Sequence, residues 1–263
     1  MAKTKRKQRI IAFANQKGGV AKTTTTASVA YRLAEKGRTV LAIDLDPQGN
    51  LGQNFKLDPH SLERSIADVI EDGRTLEETV HQVRENLYVI PANNDLAGAA
   101  IRIVSANARE FKLKKALRTA TGFDYILIDC PPNLDLLTVN ALVAAREIIV
   151  PLEPEYFSTS GLLRLKNSIK GVKEDLNPDL EVRGVVITKF DSRKKLHHEI
   201  RDVVSEEFKG LVYKTMIPMN VKISESQPAG ESIFEYAPKS TGSLAYMSLC
   251  DEIIRQEEKE VVA

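Results

Sequence analysis

The stretch Gln16-Lys17-Gly18-Gly19-Val20-Ala21-Lys22-Thr23-Thr24 constrains this chain more than any other. Ahead of it runs Ile10-Ile11-Ala12-Phe13-Ala14, apolar and β-prone. Behind it, Ala27-Ser28-Val29-Ala30-Tyr31-Arg32-Leu33-Ala34 places apolar residues at helical spacing. Strand, glycine-bearing turn and helix in that order make a phosphate-binding arrangement. Small residues let backbone N–H groups converge on an anion, and the first helical turn adds unpaired N–H groups and the positive end of its dipole. Lys22 then reaches the β- and γ-phosphates, and the Thr23 hydroxyl joins a Mg²⁺ shell. The outer glycine positions of G-x-x-x-x-G-K-[ST] hold Gln16 and Ala21, and a second lysine, Lys17, stands at the start of the loop. A glycine turn with two solvated lysines is the competing reading, against which the flanking strand and helix weigh.

Strand-like runs recur at 10–14, 40–43, 87–90, 125–128, 148–151, 182–188 and 212–217. Helical patterns separate most of them, at 24–36, 96–104, 110–120, 134–145, 161–175 and 196–208. Strands alternating with helices imply an α/β fold: a mostly parallel, twisted sheet with helices on both faces. With 263 residues, 43% hydrophobic and 28% charged, the chain has material for one large core. No linker or repeat divides it, so residues 1–263 read as a single domain, with a basic tail over 1–9 and a frayed end over 255–263. The segment 57–83 is the least readable, with a short helix around Ile66 to Ile70. In such a sheet, chemistry collects at the carboxyl ends of the strands.

Two strand ends carry carboxylates. Val40 to Ile43 runs into Asp44-Leu45-Asp46-Pro47-Gln48-Gly49-Asn50, and Tyr125 to Ile128 into Asp129-Cys130-Pro131-Pro132. An acid emerging from a buried strand costs several kcal/mol if left dry and unpaired, so these positions face a cation or a polar ligand. Loop-capping acids are the plainer alternative. The four histidines show no metal spacing, and two distant cysteines, Cys130 and Cys250, rule out a disulfide framework. No run of ~18 apolar residues is present to span a membrane.

The loop K-G-G-x-x-K-T resembles the deviant Walker A motif of the ParA/MinD group of P-loop ATPases. Further matching segments are Asp44 to Asn50, Asp129 to Leu142, Glu153 to Gly161, and Ile217-Pro218-Met219-Asn220-Val221-Lys222-Ile223-Ser224-Glu225-Ser226, which is similar to I-P-x-N-x-x-x-S-E-A. These favour the ParA/Soj partitioning branch over MinD. Two departures stand out: Ser226-Gln227-Pro228-Ala229-Gly230 replaces A-P-S-x-G, and Met219 replaces a basic residue.

The resemblance implies an ATPase with ATP and Mg²⁺ as cofactors. Lys17, Gly18, Gly19, Val20, Ala21, Lys22, Thr23 and Thr24 hold the nucleotide, with Pro218 and Asn220 near its base. Thr23, Asp44 and Asp129 serve the metal or its waters. Lys17, Lys22 and Asp46 are catalytic: Asp46 orients the attacking water and Lys17 reaches the partner's nucleotide in an ATP-sandwich homodimer.

The resemblance also implies non-specific double-stranded DNA binding, a ParB-type partner that stimulates hydrolysis, and a cytoplasmic, nucleoid-associated protein. Composition alone gives net charge +1 and only eight bases against five acids from Lys189 to Lys222, which equally describes a solvated face. The candidate DNA contacts are Arg193, Lys194, Lys195, Arg201 and Lys222. A helix over 196–208 is expected to bury Leu196, Ile200, Val203, Val204 and Phe208 and to turn Lys195, His198 and Arg201 outward. The acidic carboxyl end, five acids against two bases from Asp251 onward, lacks the basic face of an interfacial anchor. Alternatives are a positioning ATPase for a protein cargo, a membrane-associated MinD-type regulator, and a metabolic P-loop enzyme.

Overall fold

A computed structural model describes residues 7–155 and 158–262, and in it seven strands form one sheet. The strands are β1 (Arg9–Phe13), β2 (Val40–Asp44), β3 (His81–Arg84), β4 (Leu87–Ile90), β5 (Tyr125–Asp129), β6 (Glu147–Leu152) and β7 (Glu181–Ile187). Their order is β3-β4-β2-β5-β1-β6-β7, parallel throughout except for β3, which pairs antiparallel with β4 at the edge. β1 and β5 are central, so the phosphate loop after β1 and the carboxylate ending β5 emerge side by side.

Eleven helices are described: α1 (Lys22–Glu35), α2 (Asn50–Gln53), α3 (Ile66–Glu71), α4 (Asp95–Arg102), α5 (Lys112–Ala116), α6 (Leu136–Ala144), α7 (Ser158–Asp175), α8 (Lys195–Glu207), α9 (Val221–Ser226), α10 (Ile233–Tyr236) and α11 (Thr241–Val262). Alternate strand residues point to opposite faces. Ile11, Phe13, Val40, Ala42, Tyr125 and Leu127 pack with α1, α10 and α11, through Val29, Leu33, Ile233, Tyr246 and Leu249. Ala12, Leu41, Ile43, Ile126 and Ile128 pack on the other face with α3 to α8, through Ile70, Leu96, Leu113, Ala141, Leu165 and Val204. A strand covered on both faces reads as a continuous apolar run, which is why β2 and β5 were so legible.

Four expectations are corrected. The run 212–217 is no strand: it makes one bridge to the sheet, Val185 with Val212, because the N–H groups of Lys214 and Thr215 donate to the Glu252 carboxylate at 2.9 and 2.8 Å. β3 was missed because His81-Gln82-Val83-Arg84 is a half-exposed edge with one β-branched residue. The helix expected over 110–120 breaks into α5 and two flanking 3₁₀ turns. Asn140 reaches in, its amide donating to the Arg109 carbonyl at 2.8 Å and its oxygen accepting from the Leu113 N–H at 3.1 Å.

On α8 the buried stripe is His197, Ile200 and Val204, continued by Phe208; Leu196 and Val203 are 42% and 49% exposed. The turn is rotated because His197 Nδ1 accepts from the Asp191 N–H at 3.1 Å.

The ends differ from the expected tails as well. Residues 1–6 of the basic tail and residue 263 lie outside the described residues, as do Tyr156 and Phe157 in the matching segment 153–161. Arg9 opens β1 and is buried against the Glu147 carboxylate. α11 continues to Val262 where fraying was expected from 255. Glu257 there accepts from the Tyr125 hydroxyl at 2.8 Å and from Arg38 at 3.1 Å.

Candidate functional site

In the turn between β1 and α1, Gly19 and Ala21 both adopt left-handed backbone, at φ +74° and +63°. Ala21 does so where the common loop has glycine, a strained choice of the sort that marks functional turns. α1 begins with no side-chain cap and no acid in its first turn, so its leading N–H groups and dipole face open space. This is a cradle for an anion.

A cavity of about 680 Å³ opens above it. Of the expected nucleotide residues, Gly18, Gly19, Ala21, Lys22, Thr23, Thr24, Pro218 and Asn220 line it, and so does Asp46. Val20 instead turns into the core, its carbonyl accepting from the Thr188 hydroxyl at 3.0 Å. The Asn220 side chain caps α9 through the Lys222 N–H at 2.8 Å and donates to the Thr241 hydroxyl, which fixes it at the start of α9.

Lys22 is 6% exposed, and its ammonium donates to the Lys17 carbonyl at 3.1 Å, curling the loop around itself. Burial lowers its pKa from the usual lysine value, and the nearby Asp129 charge works against that. Asp129 is wholly buried below the loop. Burial pushes its carboxyl up to about 7, opposed by the nearby Thr23 hydroxyl and by the Lys22 charge. Oδ1 accepts from Thr26 at 3.3 Å, whereas Oδ2 is buried with no hydrogen-bond partner. An orphaned buried carboxylate oxygen beside a threonine hydroxyl fits a hydrated Mg²⁺, which takes few protein ligands and leans on water and phosphate oxygens.

Asp44 sits in register with Asp129 on the adjacent strand, yet it turns into its own loop. Its Oδ1 accepts from the Asp46 N–H at 3.0 Å, and Oδ2 from Leu51 at 2.9 Å and Gly52 at 3.4 Å. These bonds give Asp44 a loop-organising role. Gly49 is needed in that loop: at φ +68° a Cβ would lie 2.7 Å from the Ala92 carbonyl oxygen.

Lys17 does not line the cavity. Its ammonium pairs with Glu155 of the same chain, and both side chains are well exposed, 37% and 52%. Among the DNA candidates, Arg193 makes two 2.9 Å bonds to Asp191, Arg201 pairs with Asp202 at 2.6 Å, Lys195 with Glu199 at 3.6 Å, and Lys222 with Glu225 at 2.8 Å. Lys194 is exposed and shows no ion pair among the described residues. The bridge from Phe190 to Pro218 brings the loop carrying Arg193 beside the one leading to Lys222.

Among the cavity residues not expected at the site from sequence are Lys189, Glu153 and Gln227. Lys189, at φ +50°, pairs with Glu153 at 3.3 Å. Both follow the carboxyl ends of their strands, a position that flags them in retrospect. Gln227 donates to the Thr24 hydroxyl at 2.5 Å, a contact across 203 residues that leaves no local signal.

A family model described as an AAA domain matches residues 8–182. The chain is 41% identical to the chromosome partitioning protein ParA of Myxococcus xanthus, over 95% of this chain and 89% of that one. It is likewise 41% identical to the sporulation initiation inhibitor protein Soj of Bacillus subtilis, over 93% and 98%. Among solved structures, the cobyrinic acid a,c-diamide synthase of Mycobacterium smegmatis with bound ADP and magnesium superposes with a TM-score of 0.85, at 36% identity over 96% of each chain.

Proposed function

Because the chain belongs to the ParA/Soj family of P-loop ATPases, we propose that it is a DNA-partitioning ATPase that closes into a homodimer on ATP, holds DNA without sequence preference, and lets go after hydrolysis. The observation carrying this reading is the placement of Lys17. It stands at the mouth of the loop, outside its own cavity, on an exposed ion pair that a second subunit's nucleotide can outcompete.

The roles follow from charge and position. The α1 N-terminus and Lys22 hold the phosphates, and the Lys22 ammonium, whose pKa burial lowers and the Asp129 charge raises, adds its charge where the β- and γ-oxygens come. Thr23 and Asp129 would hold Mg²⁺, which would supply positive charge to offset the charge that develops on the phosphates. Asp46 lines the cavity on the loop that Asp44 braces, and in this reading it orients a water toward the terminal phosphate. Lys17 from the partner completes the set. Pro218 and the Asn220 backbone close the base side. Residues 1–263 act as one unit in this reading.

Arg193, Lys194, Lys195, Arg201 and Lys222 are the DNA contacts we propose, doubled by dimerisation. Lys194 leads, since the other four are each held by a neighbouring acid. A ParB-type, DNA-bound protein is the proposed activator, entering at the dimer seam. Among the described residues no helix is long and apolar enough to cross a membrane. Retention of random-sequence DNA in ATP, ADP and no nucleotide, across a salt series, tests the whole reading. ATP-only retention that fades with salt supports it, and equal retention in all three states sinks it.

The resemblance to a diamide synthase raises a second reading, an enzyme that uses ATP to activate a small acceptor. Hydrolysis that runs without any acceptor and rises with DNA excludes it.

A further inference from the structure

The hydrogen bond from Gln227 to Thr24 lies in a wall between two cavities. Both residues line the large cavity above the phosphate loop, and both line a smaller one of about 110 Å³ behind it, bounded also by Tyr31, Lys56 and Arg84.

Thr24 sits in the first turn of α1. A threonine in a helix commonly turns its hydroxyl back to the carbonyl four residues earlier, as Thr26 does to Lys22 at 3.0 Å. For Thr24 that carbonyl belongs to Val20 and is already engaged by the Thr188 hydroxyl. The Thr24 oxygen instead accepts Nε2 of Gln227. A hydroxyl carries one proton. With its oxygen claimed by the amide, that proton is directed away from Gln227 and is free for an acceptor in the cavity the hydroxyl lines.

We propose that Gln227 is a positioning residue for nucleotide binding, its amide N–H fixing the Thr24 hydroxyl as a donor to a phosphate oxygen. This rests on the reading that the loop cavity takes ATP. The same bond ties the two walls of that cavity together. Gln227 directly follows α9, whose cap Asn220 and the preceding Pro218 line the same cavity. The position is also one where this chain departs from the family pattern, so the device belongs to this chain's own sequence.

The test compares affinity for a fluorescent ATP analogue, together with kcat and KM, in Gln227→Met, Gln227→Glu, Thr24→Val, and Gln227→Met combined with Thr24→Val. Gln227→Met keeps the length and removes the donor. It is expected to weaken ATP binding about three- to tenfold, read in KM with kcat little changed. Gln227→Glu reverses the local polarity, since a carboxylate draws the Thr24 proton to itself, and weakens binding further than Met. Adding Gln227→Met to Thr24→Val brings no further loss, because no hydroxyl remains to orient. Losses that multiply in the double variant overturn the proposal, as does a Gln227→Glu protein that binds ATP like the parent. Should Gln227→Met fail to fold, the near-isosteric Gln227→Glu and Thr24→Val decide the matter alone. A parent protein that fails to bind ATP at all would strike the nucleotide reading itself, a result distinguishable from unchanged affinity in the Gln227 variants.

Discussion

Asp44 and Asp129 end adjacent strands in the same register, and their carboxylates have opposite surroundings: both oxygens of Asp44 are filled by backbone N–H groups, while Oδ2 of Asp129 is buried with no partner. One acid builds the loop, and the other waits for a ligand.

Asp129→Asn is expected to abolish Mg²⁺-dependent hydrolysis while raising the stability of the nucleotide-free protein at pH 8. Burial puts the folded pKa near 7, against an ordinary 3.8. The native state therefore holds this proton longer than the unfolded chain, and stability falls as pH rises from about 4 to about 7, then levels off. Asp44, also raised chiefly by burial, acts in the same direction. Melting curves from pH 4 to 8 should show the slope in the parent, on the order of a few kcal/mol, and less of it in the variant. An unchanged slope would mean that Asp129 is not the titrating group.

Asp44→Ala strips three N–H groups of their acceptor. A loss of about 1–3 kcal/mol is expected in urea unfolding, with hydrolysis falling because Asp46 loses its brace. Nucleotide affinity should fall much less than in Asp129→Asn, since both Asp44 oxygens already accept backbone N–H groups whereas Oδ2 of Asp129 has no partner.

Lys17→Ala should leave stability and monomer ATP affinity within about threefold of the parent, because the exposed pair with Glu155 contributes little. Dimerisation in ATP, followed by light scattering, should disappear. Glu155→Gln releases Lys17 and is expected to hold or strengthen the dimer. A Lys17→Ala protein that still dimerises on ATP would refute the shared-site reading.

Gly49→Ala forces a side chain onto left-handed backbone and drives its Cβ to 2.7 Å from the Ala92 carbonyl oxygen and 2.9 Å from Pro59. About 2 kcal/mol of stability should be lost, together with activity, as the Asp46 loop shifts. Hydrogen exchange over 44–52 would locate the damage. A variant as stable as the parent would show that this close approach is relieved elsewhere.

Lys194→Glu should reduce DNA retention more than Arg193→Glu, since Arg193 is already held by Asp191. Titration against random-sequence duplex at several salt concentrations measures both. The slope of log affinity on log salt should flatten by about one phosphate contact for Lys194. Equal effects would argue that the ion pairs open freely on DNA.

The central strands and the loop were legible because their signals are local. Buried parallel strands are apolar runs, α1 carries its own period, and two glycines beside a lysine mark the turn. The edge strand β3 was not legible, since half-exposed edges carry little hydrophobic pattern. The run 212–217 misled, because β-prone residues give their N–H groups to Glu252 on α11, some forty positions later. On α8 the apolar count placed Ile200, Val204 and Phe208 in the buried stripe correctly but erred at its edges: His197 is drawn inward by the Asp191 backbone, and Leu196 and Val203 are left in solvent.

Sequence alone determined the layered α/β architecture and the phosphate cradle, because strand period, helix period and turn chemistry are properties of neighbouring residues. The division of labour between two like acids, the clasp of Glu155 on Lys17, and the bond from Gln227 to Thr24 were decided only when the chain closed. Each depends on which atoms arrive within about 3 Å after residues far apart in sequence have been packed on one sheet, and no local pattern encodes that distance.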